Sequence, residues 1–304
     1  MKKIFFLTGL LFIASNGILY SQDLDQLLNE LSVDKTPTYT YGTFKGTTVI
    51  NGQSVEVPGQ SDLHFIVNHR FGALKQGLYD FFGIDQATTR LGFEYGIKNI
   101  ASVSIGRNGL EKTYDSGIKL RLLRQQTGIR NIPVSISLYS AVYVKTLKWE
   151  HPNRDNLFSS RLSYATQILI ARKFSSKFSL QVSPSFIHKN LVPLPKDENN
   201  IYALGIGGRY KISRKISLNS EYFFLLPGET ANKSANSLSF GVDIETGGHV
   251  FQLQFTNSQA MFARGFIAET PGEWREGDIY FGFNLYRVFP KNKKSKNIHY
   301  NGKE

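Results

Sequence analysis

Long segments in which apolar and polar residues alternate follow one another along the chain from residue 60 onward. In one of them, Leu180 and Val182 alternate with Gln181 and Ser183. A period of two places apolar side chains on one face of a β-strand and polar side chains on the other. We therefore predict about twelve strands. They lie near residues 60–70, 86–97, 99–107, 113–125, 129–146, 157–173, 176–190, 199–212, 215–227, 236–245, 248–256 and 278–289.

The connections between these segments alternate between short and long. The short ones lie near Lys98, Gln126, Ser175, Ser213 and Gly247, and the long ones at 71–85, 147–156, 191–198, 228–235 and 257–277. Short turns on one rim and long loops on the other are typical of porin-like outer-membrane barrels. Several segments also exceed the roughly 5–6 residues that are usual for strands of soluble sandwiches. We therefore predict an all-β fold, a transmembrane antiparallel β-barrel over residues 59–289 that resides in the outer membrane.

The first residues have the order of a secretory signal peptide. Lys2 and Lys3 precede an apolar run from Ile4 to Ile13, and the small residue Ser21 stands before Gln22. The run is shorter than the roughly 20 residues that a helix needs to span a bilayer. We predict that residues 1–21 are cleaved and that the mature chain is exported.

Residues 22–58 differ from the barrel segments. The leucines between Leu24 and Leu31 fall on one side of a short helix, and short strand-like runs flank an Asn51-Gly52 turn. The sequence leaves three arrangements open for this segment. It is a plug inside the lumen, an arm in the periplasm, or a hairpin that adds two strands to the barrel.

Composition and charge exclude several kinds of site. The chain has no cysteine, and its six histidines do not have the spacing of a zinc site, so we predict no metal and no cofactor. Of the formal charge of +12, two lysines leave with the signal peptide and the tail at 290–304 carries +4, which leaves +6. This remainder is spread along the sequence, and we predict no nucleic-acid partner. The basic tail is predicted to be a solvated periplasmic extension.

Residue parity places charged side chains of both signs on the polar face of the predicted strands. This lumen-lining set consists of Asp62, His64, Arg90, Glu94, Asp115, Lys119, Arg121, Arg161, Arg209, Glu221 and Asp243. Opposite charges inside one lumen can pair with one another. The interior is then either closed by its own ion pairs or left with a thin polar path suited to a small polar solute.

One group of side chains has the composition of a nucleophilic hydrolase. Ser160 and His188 fall about opposite one another on neighbouring predicted strands, and Asn190 follows two residues later. A serine hydroxyl, a histidine base and an orienting amide are the parts that acyl transfer requires, but the sequence shows no oxyanion hole. We predict a barrel that is not an enzyme and keep an outer-leaflet lipid hydrolase as the least favoured alternative.

Several stretches of the sequence are shared with a known family. They are His69–Gly72, Gly83–Ala87, Glu111–Asp115, 240–258 and 277–289, with Asp243–His249 the most specific part. Through them the chain, from Thr43 to Phe289, resembles an uncharacterised family of Bacteroidetes β-barrel proteins, the domain of unknown function 5777. The resemblance implies an outer-membrane barrel and brings no substrate, cofactor or catalytic residue.

The last predicted strand ends in Phe289, which resembles the C-terminal aromatic signal that the barrel-assembly machinery reads. We therefore expect this machinery and outer-membrane lipid as partners. For function, we predict a passive channel or a binding and transport path for a small solute. A structural or adhesion scaffold with a closed lumen is the second prediction.

Overall fold

Twelve antiparallel strands form a closed barrel in the computed structural model, which describes residues 36–246 and 248–291. Neighbours in sequence pair with one another, and the last strand pairs with the first. The strands are β1 Leu63–Ala73, β2 Ala87–Ile97, β3 Ala101–Asn108, β4 Thr113–Leu123, β5 Ser135–Lys145, β6 Leu162–Lys173, β7 Phe178–Lys189, β8 Asn200–Lys211, β9 Ile216–Leu225, β10 Ser237–Thr246, β11 His249–Thr256 and β12 Tyr280–Phe289. The predicted fold class and strand number are confirmed. The predicted signal peptide, the leucine-rich helix and residues 292–304 of the basic tail lie outside the described residues.

The barrel wall has an apolar outer face and a polar inner face. In β8, Leu204 and Ile206 are exposed, whereas Ala203 and Gly205, which alternate with them along the strand, are buried. Ile206 lies opposite Val182 of β7 in the observed register. Because successive strand residues point to opposite faces, a register shift of one residue would exchange these two sets of side chains.

The two ends of the barrel differ in the length of their connections. At one end, which we call the short-turn rim, the connections 98–100, 174–177, 212–215 and 247–248 have two to four residues. At the opposite long-loop rim, the connections carry the 3-10 segments Leu74–Gly83, Leu110–Lys112, Phe158–Arg161 and Trp274–Glu276 and one α-helix, α1, at Ala263–Ala268. No helix among the described residues is long and apolar enough to cross a bilayer.

The connection between β4 and β5 is longer than the sequence predicts. We predicted a short turn near Gln126 and a strand from 129, but β4 ends at Leu123 and β5 begins at Ser135. Gly128 has a positive φ of 97° and Pro133 has no N–H for a strand ladder, so this stretch does not continue the wall. Residues 126–132 instead belong, with the described residues 36–39, to a separate small unit in which Gln126–Thr127 pairs with Thr38–Tyr39.

The first prediction tests the outer face of the wall. Ile206→Arg should lower the folding stability in lipid vesicles by about 2 to 4 kcal/mol, because Ile206 stands in the middle of an outward-facing row. The same change at Ile212, in a turn at the short-turn rim, should cost at most about 1 kcal/mol. A reversible folding titration measures both values. Equal costs would contradict the placement of Ile206 against lipid.

Candidate functional site in the barrel lumen

Residues 42–57, which we call the plug segment, lie inside the barrel. Phe44, Val49, Ile50 and Val55 are buried there, together with the polar residues Thr43, Thr47, Asn51 and Ser54. The barrel strands pair only with each other, so the plug segment adds no strand to the wall. Among the three arrangements that the sequence left open for residues 22–58, residues 42–57 have the lumenal one.

The plug segment reverses direction at Asn51 and Gly52, where the sequence predicted a turn. The Val49 N–H donates to the Gly52 carbonyl at 2.8 Å. A single bridge joins Thr48 and Gln53, so the predicted strand-like runs do not form a hairpin of regular strands. A Cβ atom at Gly52 would lie 2.7 Å from the Phe223 ring, which explains why a glycine occupies this position of the turn.

Glu221 on β9 binds this turn. Its carboxylate accepts the backbone N–H groups of Ile50 at 3.1 Å, Asn51 at 2.7 Å and Gly52 at 3.0 Å. Glu221 is only 3% exposed. Buried N–H groups outside regular strands need another acceptor, and one wall carboxylate supplies it for all three.

Polar side chains from other strands bond the rest of the plug backbone. The Gln181 amide accepts the Val55 N–H at 2.8 Å and donates to the Gln53 carbonyl at 2.7 Å. The Lys119 ammonium donates to the carbonyls of Thr47 at 2.8 Å and Glu56 at 3.1 Å. Four further bonds, of 2.7 to 3.1 Å, join Ser137 to the carbonyl of Val55, Gln252 to that of Val49, Asn284 to that of Ile50 and Arg209 to that of Gly42.

The other half of the lumen is filled from the long-loop rim. Residues 257–272, which we call the inner loop, are mostly buried, including all six residues of α1. Phe262 packs on Tyr143 with ring centroids 5.6 Å apart, and Phe266 packs on Phe223 at 5.1 Å. The sequence predicted a long connection at 257–277. The run from Ala260 to Ala268 is mainly small and apolar, and this is the signal that could have indicated an inward course.

A small cavity remains where the plug segment and the inner loop meet. Its volume is about 50 Å³, and Arg70, Arg90, Glu94, Tyr139 and Phe266 are among the residues that line it. At roughly 10 to 15 Å³ for each water, it holds about three to five water molecules. The plug segment and the inner loop therefore leave room only for a few waters where they meet.

The structure divides the predicted lumen-lining residues into groups with different partners. Lys119, Arg209 and Glu221 bond the plug segment, and Arg121 lies 3.6 Å from the Glu56 carboxylate. Other members are bonded within the wall, where Arg90 pairs with Asp115, Ser102 donates to Glu94, and Gln252 donates to Asp243. Asp62 and His64 are buried at the start of β1.

The Arg90 and Asp115 pair depends on a glycine in the strand between them. The Arg90 Nε donates to Asp115 Oδ1 at 2.9 Å across β3. A Cβ atom at Gly106 would lie 2.5 Å from the Arg90 guanidinium. The absence of a side chain at this position thus lets the ion pair cross the inner face of the wall.

Arg161 lies in a different place from the rest of the set. It ends the 3-10 segment Phe158–Arg161 at the long-loop rim. Its guanidinium donates to the carbonyls of Lys145 and Leu147 and covers the Trp149 ring at 3.8 Å. Its contacts therefore hold the loop after β5.

Uncharged wall residues with a role in the lumen were missing from the predicted set. Gln252 and Asn284 are buried, bond the plug backbone and bond each other at 2.8 Å. In the sequence they look like ordinary polar positions of alternating strands. Their distinguishing feature is a long amide side chain, which can both donate to and accept from a backbone that has no strand partner.

The candidate hydrolase residues have other partners in the structure. The register pairs His188 with Tyr164, four residues away from Ser160. His188 Nδ1 lies 2.7 Å from Asn200 Oδ1, and Asn190 donates to the Ser159 carbonyl. The described residues also contain no cluster of three or more His, Asp or Glu side chains that could hold a metal ion.

Ion pairs attach the inner loop to neighbouring loops. Arg264 of α1 pairs with Glu111 and with Glu269, and Lys145 reaches Glu111 at 2.6 Å. Burial raises the pKa of Glu111, but the charges of Arg264 and Lys145 lower it by more, so the net shift is downward. Glu111 is therefore held in its charged form and fixes the inner loop.

The second prediction concerns the contact between Glu221 and the plug segment. Glu221→Ala should speed hydrogen exchange at residues 50–52 by about ten- to a hundredfold, because buried donors without a partner cost about 1 to 3 kcal/mol. Glu94→Ala is the matched control, since the Glu94 carboxylate accepts from Ser102 of the wall. If Glu221→Ala left the exchange at residues 50–52 unchanged, the contact would be refuted. The same holds if Glu94→Ala raised this exchange equally.

The third prediction concerns the ion pairs of the inner loop. A lowered carboxyl pKa contributes stability above the ordinary value of about 4.3, and this is lost as the pH falls through the lowered value. After correction for intrinsic rates, exchange at residues 260–268 should stay constant from about pH 8 to 5 and rise below about pH 4. Glu111→Gln should show the rise at neutral pH, whereas Glu150→Gln, an exposed residue of another loop, should not. Wild-type protection in Glu111→Gln would show that these pairs do not hold the loop.

Several solved structures are similar to this chain. The fold is similar to the NanC porin, with 10% identity, a TM-score of 0.48, and 76% of this chain and 100% of the porin covered. It is also similar to Omp33 of Acinetobacter baumannii, with 12% identity, a TM-score of 0.39, and coverage of 78% and 100%. An active-site variant of outer membrane phospholipase A from Escherichia coli matches with 9% identity, a TM-score of 0.44, and coverage of 76% and 91%.

No curated protein matches the sequence. A family model is more informative. The model of the "Membrane bound beta barrel domain" (DUF5777) matches residues 44–289, which is most of the chain. The chain therefore belongs to this family of membrane-bound β-barrels.

Proposed function

We propose that this protein is an outer-membrane barrel that is closed at rest and lets small polar solutes pass when the plug segment leaves the wall. The proposal rests on the kind of contact that the plug segment makes with the barrel wall. Wall side chains such as Glu221, Gln181 and Lys119 bond the plug backbone, while the barrel is closed by pairing between its own strands. Withdrawal of the plug segment would therefore leave the ladder of the wall intact.

The inner face that such a withdrawal exposes suits polar solutes of either charge. Lys119 and Arg209 would lose their carbonyl partners, and Glu221 would lose its N–H partners. These groups would then be hydrated and would face the lumen with both signs of charge. A continuous path also requires displacement of the inner loop, whose attachments include the ion pairs of Arg264 with Glu111 and of Glu269 with Lys189.

A closed scaffold is the second candidate. The cavity of about 50 Å³ favours it, because a lumen this full passes nothing without a conformational change. The two candidates differ in whether the plug segment moves in the membrane. Export, assembly by the barrel-assembly machinery and contact with outer-membrane lipid are part of both.

The fourth prediction separates the two candidates with a reversible lock. The chain has no cysteine, so a new pair can be introduced without interference. A Cβ atom at Gly207 would lie 3.7 Å from the Cβ of Val49, within the range of about 3.5 to 4.5 Å that a disulfide requires. The double variant Val49→Cys with Gly207→Cys should therefore join the plug segment to β8 when oxidised.

A gated path predicts that the oxidised variant passes small sugars into liposomes more slowly than the reduced one. The reduced variant should match the single variant Val49→Cys, which controls for the loss of the valine side chain. Heat-modifiable migration on gels shows that each variant is folded. Equal and negligible uptake by the oxidised and reduced proteins would reject the channel and leave the scaffold.

A further inference from the structure

Charge is divided unequally between the two rims of the barrel. At the long-loop rim, the connections 74–86, 109–112, 146–161, 190–199, 226–236 and 257–279 together contain nine Lys or Arg and twelve Asp or Glu residues. At the short-turn rim, the described residues of the connections within the barrel unit contain no Asp or Glu. Their charged residues are Lys98, Arg124, Lys177, Arg214 and Lys215.

Further cations extend this charge onto the outer face of the wall. Arg172, near the end of β6, is exposed and lies 5.1 Å from the ring of Phe174, which is 54% exposed. Arg287, near the end of β12, is also exposed and lies 4.8 Å from the Phe289 ring. Each guanidinium thus stands beside an aromatic ring on the side of the wall that meets lipid.

Carboxylates near this rim have partners on the inner side. Glu245 pairs with Lys45 of the plug segment. Glu56, also of the plug segment, lies 3.6 Å from Arg121. Asp62 and Asp243 are buried. The positive charge of the outer side is therefore not balanced by these carboxylates.

We propose that the short-turn rim is a binding surface for anionic phospholipid headgroups of the leaflet on its own side of the membrane. Exposed aromatic rings fix the depth of the wall at the interface, and basic side chains at that depth attract lipid phosphate. Guanidinium groups are well suited to this, because their planar donors match the geometry of phosphate oxygens. Arg172 and Arg287 contact the headgroups from the wall, and Lys98, Lys177, Arg214 and Lys215 do so from the turns.

Spin-labelled lipids test the proposal on the full-length mature protein in phosphatidylcholine bilayers. Electron paramagnetic resonance gives the fraction of each labelled lipid that the protein immobilises. Labelled phosphatidylglycerol should associate about threefold more strongly than labelled phosphatidylcholine at low ionic strength, and this preference should fall in about 0.5 M salt.

A pair of charge-matched variants locates the effect. The rim variant combines Arg172→Gln, Lys177→Gln, Lys215→Gln and Arg287→Gln, and should lose most of the preference. The control combines Lys148→Gln, Arg154→Gln, Lys196→Gln and Arg275→Gln, four exposed cations of the long-loop rim, and should keep it. Both should retain heat-modifiable migration on gels.

Two results would overturn the proposal. One is an equal association of both lipids with the wild-type protein. The other is an equal loss of preference in the two variants, which would show an effect of net charge alone. At a fixed low ionic strength, replacing chloride by inorganic phosphate should leave the preference unchanged, because a headgroup held at the interface is bound together with its acyl chains. Competition by free phosphate would instead indicate a soluble anion as the ligand.

Discussion

Polar groups that face the inside of a closed barrel need partners when the lumen is too narrow for bulk water. In this protein the constraint acts on both the inner wall and the plug segment that contacts it. The inner wall presents carboxylate, ammonium and amide groups, and the plug segment presents a backbone that has only one bridge of its own. Each side supplies the donors and acceptors that the other lacks, and an unpaired buried group would be costly. The wall and the plug segment are thus complementary at the level of individual hydrogen bonds.

The two fillings of the lumen are stabilised by different interactions. The plug segment receives hydrogen bonds from wall side chains along its backbone and also buries several apolar side chains, whereas the inner loop packs apolar and aromatic residues such as Phe266 and Ile267 against the wall and is attached at its rim by ion pairs. Water can replace a hydrogen bond at modest net cost, but exposure of packed aromatic rings is unfavourable. The hydrogen bonds of the plug segment are therefore the part of the filling that water can replace most readily.

Most of the wall was predictable because each strand repeats a local pattern. Period-two alternation and turn length depend on neighbouring residues, and both rims and twelve strands follow from them. The prediction was wrong where local signals conflict, as in the connection around Gln126, where Gly128 and Pro133 interrupt the ladder.

Features that depend on contacts between distant parts of the chain were harder to predict from the sequence. The course of the inner loop, the partners of Glu221 and the register between Ser160 and His188 all depend on distant parts of the chain. The positive charge of the short-turn rim is also hard to predict from the sequence. Its lysines and arginines are scattered in the sequence, and only the strand topology brings them to one end of the barrel.

The central claim is that residues 42–57 fill the lumen of the membrane-embedded protein. Hydrogen exchange of the unmodified protein in lipid bilayers tests it most directly, with the amides of Val49, Asn51, Ser54 and Val55 as reporters. Each of these amides donates a hydrogen bond inside the barrel. The account predicts protection of these amides comparable to that of the barrel strands. Exchange at the rate of an unstructured peptide would contradict it.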